Sequence, residues 1–341
     1  MVRMEARGRM INALEKSLLC LCAAVAIISC GDDYTKKEKT VSEPETIVAP
    51  DFSGDSAYSF ISAQVDFGPR VPNTPEHDKC GKWLASELER FGADVIVQTT
   101  RVRAFDGKLL ELQNIIGQFN PKARSRVLLY AHWDTRPFAD KDIIRQYEPI
   151  DGANDGASGV GVLLEIARQL NLKPAEIGVD IIFFDGEDYG PPFSAPSTET
   201  SYLEWCLGSQ YWASEPHIYG YRARFGILLD MVGAKDAIFN KEGTSMHFAP
   251  HIVRKVWDRA NDLGYVSRFQ NNETPSTVDD NLFVSKIAGI PSANIVDYKV
   301  NVLPMGYGTF HHTHADNMDI INVQTLQEVG ETVLSVVYSE Q

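Results

Sequence analysis

Four stretches of the chain are almost continuously apolar, and they carry most of the fold information: RVLLYAHWD at 126–134, VDIIFFD at 179–185, RFGILLD at 224–230 and SANIVDY at 292–298. Runs of this length without polar alternation are typical of strands covered on both faces. Between and after them the apolar period changes to helical spacing, predicting helices over Ser158–Leu170, Pro250–Leu263, Asn281–Ala288 and Val323–Ser339. An earlier helix is predicted over Glu76–Phe91, with Trp83, Leu84, Leu88 and Phe91 on one side and Gly92 as its stop. Two more β segments, Asp94–Thr100 and Leu110–Gly117, precede the first apolar run and suit antiparallel edge strands. Strands alternating with helices predict a single α/β domain: a mostly parallel, twisted central sheet with helices on both faces. No internal repeat or second linker interrupts it, so this domain is expected to occupy residues 51–341.

The first fifty residues differ in kind. Leu18–Ile28 is a short apolar run preceded by Arg3, Arg7, Arg9 and Lys16, the pattern of a signal peptide and too short to span a bilayer. It ends Ile27-Ile28-Ser29-Cys30, which resembles a bacterial lipoprotein cleavage box. The expectation is a signal peptide over 1–30 with Cys30 lipidated, then a flexible tether over 31–50 rich in Lys, Glu, Thr and Pro. That implies a lipid bilayer as a partner and a location in the bacterial cell envelope, on the periplasmic face or the outer-membrane surface. The alternative, a buried helix with an incidental cysteine, fits poorly with Gly31-Asp32-Asp33 directly after it.

Charge and cysteine content mainly exclude. A net charge of −14 argues against a nucleic-acid partner, because phosphate contacts need clustered Lys and Arg. There is no CxxC and no Cys–His metal spacing, so thiolate zinc chemistry is not indicated. Cys80 and Cys206 either pair in an oxidising envelope or stay as two buried thiols.

In sheets of this class the ligand site lies at the carboxyl ends of the strands. The apolar runs end in His132-Trp133-Asp134, Gly186-Glu187-Asp188 and Asp230, and the fourth is followed by GTFHHTHAD with His311, His312 and His314. Asn154-Asp155-Gly156 stands just before a helix start, where Asp155 is equally suited to cap that helix. Taken singly each group has an ordinary explanation, such as a strand-end turn, an N-cap or a solvated acidic turn. Their coincidence at one edge of one sheet favours a metal site, and mixed nitrogen and carboxylate donors suit Zn²⁺.

The order AHWD, NDGASGVGVLLE, FFDGED, LLDMVG, HHTHAD resembles the zinc aminopeptidase superfamily over nearly all of the domain. FFDGED with its long following loop and Gly208-Ser209, LLDMVGA around Asp230, and Val278-Asp279-Asp280-Asn281 are similar to the animal-type glutaminyl cyclases. AHWDTRPFAD and the lipoprotein box are similar to bacterial envelope members of the same group. The resemblance implies Glu187 as catalytic base, Asp155, Asp188 and His312 as ligands of one zinc, and Asp230 and Asp280 as active-site carboxylates. It also implies His132 and Asp230 at the positions that hold a second metal in two-zinc members, with Trp205 and His311 toward the substrate. This chain departs from the pattern at three positions: Asp188 replaces a usual Glu, His311 a Trp, and Asn281 a His.

The implied reaction converts the N-terminal Gln of a peptide or protein to pyroglutamate with loss of ammonia. A network of Glu187 with Asp230 and Asp280 is expected to raise the base's pKa. The alternative is a two-zinc aminopeptidase using His132, Asp155, Glu187, Asp188, Asp230 and His312. A non-catalytic peptide-binding lipoprotein is a minor third reading.

Overall fold

A computed structural model describes residues 48–300 and 306–340. The signal peptide, Cys30 and most of the tether expected from the sequence therefore lie outside the described residues.

The described residues open with helix α1 (Gly54–Val65), which no sequence signal had marked, and then α2 (Pro75–Arg90). Local chemistry explains α2: the Thr74 side chain accepts from the His77 N–H, Pro75 occupies the first turn, and Gly92 turns the chain away at φ 81°. Strands β1 (Asp94–Arg103) and β2 (Leu109–Phe119) follow, then β3 (Arg126–His132), helix α3 (Ala157–Leu172) and β4 (Gly178–Phe184). After α4 (Leu207–Ser214) come β5 (Gly226–Asp230), a short β6 (Phe239–Lys241), α5 (Gly243–Phe248) and α6 (Pro250–Asp262). The chain ends with β7 (Phe269–Glu273), α7 (Asp280–Lys286), β8 (Ser292–Val296) and α8 (Val323–Tyr338).

The central sheet has six strands in the order β1-β2-β4-β3-β5-β8. β3, β4, β5 and β8 run parallel, and β1 and β2 are antiparallel additions at one edge, as the sequence predicts. β6 and β7 form a separate two-stranded ladder that no sequence signal had marked. The parallel strands are buried along their whole length, so their side chains alternate between two apolar layers. Leu129, Ile181 and Ile227 face the layer built by α1, α3 and α8, while Leu128, Ile182 and Leu228 face Trp212 of α4 and Val284 of α7. Each such side chain contributes roughly 1.5–3 kcal/mol of burial, which fixes the strand register and hence what lies at the strand ends. Cys80 and Cys206 are separate, buried free thiols. Among the described residues no helix is long and apolar enough to cross a membrane.

Candidate active site

At the carboxyl ends of β3, β4 and β5 the sheet opens into a cavity of about 500 Å³. Asp155, Glu187, Asp188, Asp230, Asp279, His311 and His312 line it, opposite Trp205, Tyr202, Tyr307 and Phe193. Each acidic side chain is delivered by a device that sequence spacing does not reveal. The turn after β4 is held by Asp134, whose carboxylate accepts from the backbone N–H of Glu187 at 3.0 Å and of Asp188 at 3.2 Å. The turn before α3 is held by Asp316, which accepts from the N–H of Asn154 at 2.7 Å and of Asp155 at 3.0 Å. Asn154 in turn accepts from Gly233 N–H at 2.7 Å, tying the exit of β5 to the same turn.

Asp155 does not cap α3, contrary to one sequence expectation. The cap position is Gly156 at φ 99°, with no side-chain hydrogen bond. A Cβ there would come within 2.9 Å of Asp134 O and 3.1 Å of the His132 ring, so only glycine fits the tight entry. The Asp155 carboxylate is thereby free to point at histidines. Its Oδ1 lies 3.1 Å from His132 Nε2, and its Oδ2 lies 3.8 Å from His312 Nε2 and 3.9 Å from His311 Nε2.

Two donor sets thus meet at Asp155. On one side His312 Nε2 is 3.2 Å from Asp188 Oδ1. On the other, His132 Nε2 is 3.3 Å from Asp230 Oδ1, and the donor atoms of His132, Asp155 and Asp230 all lie within 4.8 Å of one another. Asp155, His311 and His312 satisfy the same spacing, which places His311 closer to the ligand cluster than the sequence implied. His311 is nevertheless engaged elsewhere: Lys141 meets its Nδ1, and its ring stacks between His312 and Tyr307 at 3.7 and 4.4 Å.

Electrostatics and unmet hydrogen bonding test the fit of a cation. Asp155 Oδ2 and Asp188 Oδ2 are buried without a hydrogen-bond partner, while His132 Nε2 and Asp230 Oδ1 have only each other and Asp155 close by, in poor hydrogen-bond geometry. Orphaned buried acceptors of this kind are costly. A cation that takes lone pairs from carboxylates and imidazoles satisfies them together, and this oxygen–nitrogen set fits zinc. Burial and then the Asp155 charge push the Asp188 carboxyl above its ordinary range; burial, with Asp155 again contributing, does the same to Asp230. Asp155 itself is held well below that range: His132, His311 and His312 outweigh its burial.

Glu187 is half-buried at the cavity wall. Burial, opposed by the His132 charge but reinforced by Asp279, Asp188 and Asp280, raises its carboxyl well above the usual value. The raised Glu187 carboxyl agrees with the expectation, and Asp280 contributes to it as expected, but the hydrogen bonding differs. Its side-chain hydrogen bond comes from Cys206 Sγ at 3.3 Å, and neither Asp230 nor Asp280 bonds to it. Asp279 lines the cavity, whereas Asp280 is wholly buried beside it, its carboxyl pushed up to about 7 chiefly by burial. Asn281 turns away from the cavity, toward Ser245 and Glu242.

Trp205 forms one wall, stacked parallel to His312 at 6.1 Å with the Arg136 guanidinium 4.9 Å from its ring. Gly190 makes room for it, since a Cβ there would sit 2.1 Å from the indole. Arg136 is bidentate to Asp140 at 2.8 Å and donates to Asp188 O at 3.0 Å, behind the ligand cluster. Arg136, Asp140, Asp279 and Cys206 are the site residues that motif reading left without a role. His314 bonds Asp142 at 2.8 Å and stands outside the cavity wall.

Known proteins share this fold and sequence. The family model described as Peptidase family M28 matches residues 114–337. A glutaminyl cyclase from Bacteroides thetaiotaomicron, solved with N-acetylhistamine bound, is 50% identical, covering 86% of this chain and 100% of its own, with a TM-score of 0.83. A Zn-dependent exopeptidase from Parabacteroides distasonis is also 50% identical, covering 85% and 99%, with a TM-score of 0.82. The Drosophila melanogaster glutaminyl-peptide cyclotransferase is 24% identical over 96% of this chain and 92% of its own length. With a shared fold and a family match over residues 114–337, the chain belongs to Peptidase family M28, the zinc aminopeptidase-like superfamily.

Proposed function

We propose that the chain is a glutaminyl-peptide cyclotransferase, releasing ammonia from N-terminal Gln to leave pyroglutamate. One observation carries this over peptide-bond hydrolysis. Asp155, Asp188, His312 and Glu187 all line the cavity, whereas His132, needed for a second metal, reaches Asp155 and Asp230 without itself being part of the cavity wall. The substrate-facing chemistry then includes one three-residue ligand set beside one base, with Asp230, Asp279 and His311 on the same wall. Similarity to glutaminyl cyclases at 50% and 24% identity supports the same reading.

Asp155, Asp188 and His312 would hold one zinc, which when bound supplies Lewis-acid polarisation of the side-chain amide carbonyl. The remaining work falls to the protein's own groups. Glu187 accepts a proton from the substrate α-amine as its nitrogen bonds to the side-chain carbonyl carbon. The same carboxyl returns that proton to the amide nitrogen as the C–N bond breaks and ammonia leaves. Nucleophile and electrophile are already in one molecule, so the effective concentration is built in. A base whose pKa is raised toward working pH suits a group that must both take and return a proton. Trp205, Tyr202, Tyr307 and Phe193 give the cavity aromatic walls that limit water, the competing nucleophile.

A two-zinc aminopeptidase is the second reading, because His132, Asp155 and Asp230 converge as a ligand set and an exopeptidase is equally similar. A Gln-initiated peptide followed for loss of ammonia, beside a Leu-initiated peptide followed for free leucine, separates the two. Ammonia loss alone is expected; leucine release alone overturns the proposal. The lipoprotein-like box at Cys30 supports anchoring of this activity to a bacterial envelope membrane, and metabolic labelling with a fatty-acid probe, lost in Cys30→Ala, tests it.

A further inference from the structure

Cys206 stands directly behind Glu187. It precedes α4 in a left-handed conformation, φ 57° and ψ 39°, which residues with side chains rarely adopt. Two backbone bonds pin it there: its N–H donates to Glu187 O and the Leu207 N–H to Gly186 O, each at 3.0 Å. Its Sγ then donates to Glu187 Oε1 at 3.3 Å, and Asp279 completes a trio whose polar atoms lie within 4.8 Å of one another. Glu187 belongs to the cavity wall, whereas Cys206 is fully buried and does not. The thiol therefore reaches the carboxylate from the protein side and leaves the reaction side open.

We propose that Cys206 is a positioning residue for Glu187: its thiol occupies one carboxylate oxygen, fixes the plane of the group, and leaves the other oxygen for proton transfer. This rests on Glu187 being the base. Burial, reinforced by the charges of Glu187, Asp280 and Asp279, pushes the thiol pKa far up, so the sulfur keeps its proton and stays a donor.

The full chain loaded with zinc gives three expected results. In Cys206→Ala, kcat for the Gln-initiated peptide falls on the order of tenfold with KM nearly unchanged, as expected when a reacting group loses alignment. In Cys206→Ser, whose hydroxyl can donate to the same carboxylate oxygen, kcat is largely restored with KM again nearly unchanged. The infrared S–H band that disappears in Cys206→Ala moves to higher wavenumber in Glu187→Ala, where its acceptor is gone. Wild-type kcat in Cys206→Ala, a loss expressed only in KM, or no recovery of kcat in Cys206→Ser overturns the proposal, and the shift of the S–H band in Glu187→Ala decides it alone if the alanine variant does not fold. Failure of the underlying reading is distinct: wild type then turns over no Gln peptide, or Glu187→Gln retains full activity.

Discussion

The same two strands carry opposite solutions to buried charge at their two ends. Where β3 and β4 begin, Arg126 grips Asp180 through Nε at 2.5 Å and Nη2 at 2.7 Å, while Tyr221 and Gln118 donate to the remaining lone pairs at 2.5 and 3.3 Å. Every oxygen of that fully buried carboxylate is satisfied by residues of the chain. Where the strands end, Asp155, Asp188, Asp230, Asp279 and Asp280 crowd around His132 and His312 with several atoms left unpaired. One end is closed electrostatically and serves the fold. The other leaves buried donor atoms that a bound metal ion would satisfy, and that incompleteness marks a candidate site where a structural ion pair would not.

This contrast can be broken at either end, with different consequences. The largest effect is expected from Asp155→Asn, because Asp155 serves both donor sets. Bound zinc should be lost and turnover should fall on the order of 10³-fold or more, the several kcal/mol that a Lewis acid supplies. Zinc content measured with activity checks this, and a variant with full zinc and full activity would remove Asp155 from the site. Wild type stripped by a chelator should behave alike and recover with zinc. Glu187→Gln should keep its zinc and fold yet lose about 10²–10⁴-fold in kcat.

At the opposite end, Arg126→Met should strand a buried carboxylate and cost about 3–5 kcal/mol of stability. The folded fraction should turn over normally. Urea unfolding alongside active-site titration separates these, and a large fall in kcat without loss of stability would contradict the division of labour between the ends.

The smallest effect concerns Asp297, just beyond β8, whose carboxyl is pushed up to about 6 mainly by burial, although Lys299 and the Ile238 N–H oppose the shift. A folded pKa above the unfolded one means the native state binds the extra proton. This group's contribution is fully present below pH ~4 and is lost as pH rises through about 6. Asp297→Asn should thus narrow the stability difference between pH 4.5 and 7.5 by about 2 kcal/mol. An identical pH dependence in both proteins would show that Asp297 ionises in the fold without cost.

Much of this was legible from residue order, for reasons tied to particular elements. β3, β4, β5 and β8 announced themselves because strands buried on both faces cannot afford polar positions, and their ends named His132, Glu187, Asp188 and Asp230 directly. Helix α1 escaped because only Gly54, Ala57, Ile61 and Gln64 of it are buried, too weak a stripe to stand out. β6 and β7 escaped because their residues are mostly polar and their pairing is decided by where α6 brings the chain back.

The sequence by itself therefore determined the class of fold, the edge of the sheet that carries chemistry, and the kinds of side chain gathered there, since hydrophobic period and residue type are local properties. Tertiary structure alone decided which atoms face which. It assigned Asp134 and Asp316 to holding two turns, removed the cap alternative for Asp155, and put Cys206 rather than a carboxylate against Glu187. Those outcomes depend on hydrogen-bond directions across residues far apart in the chain, including the 162 positions that separate Asn154 from Asp316, and no periodicity encodes a direction.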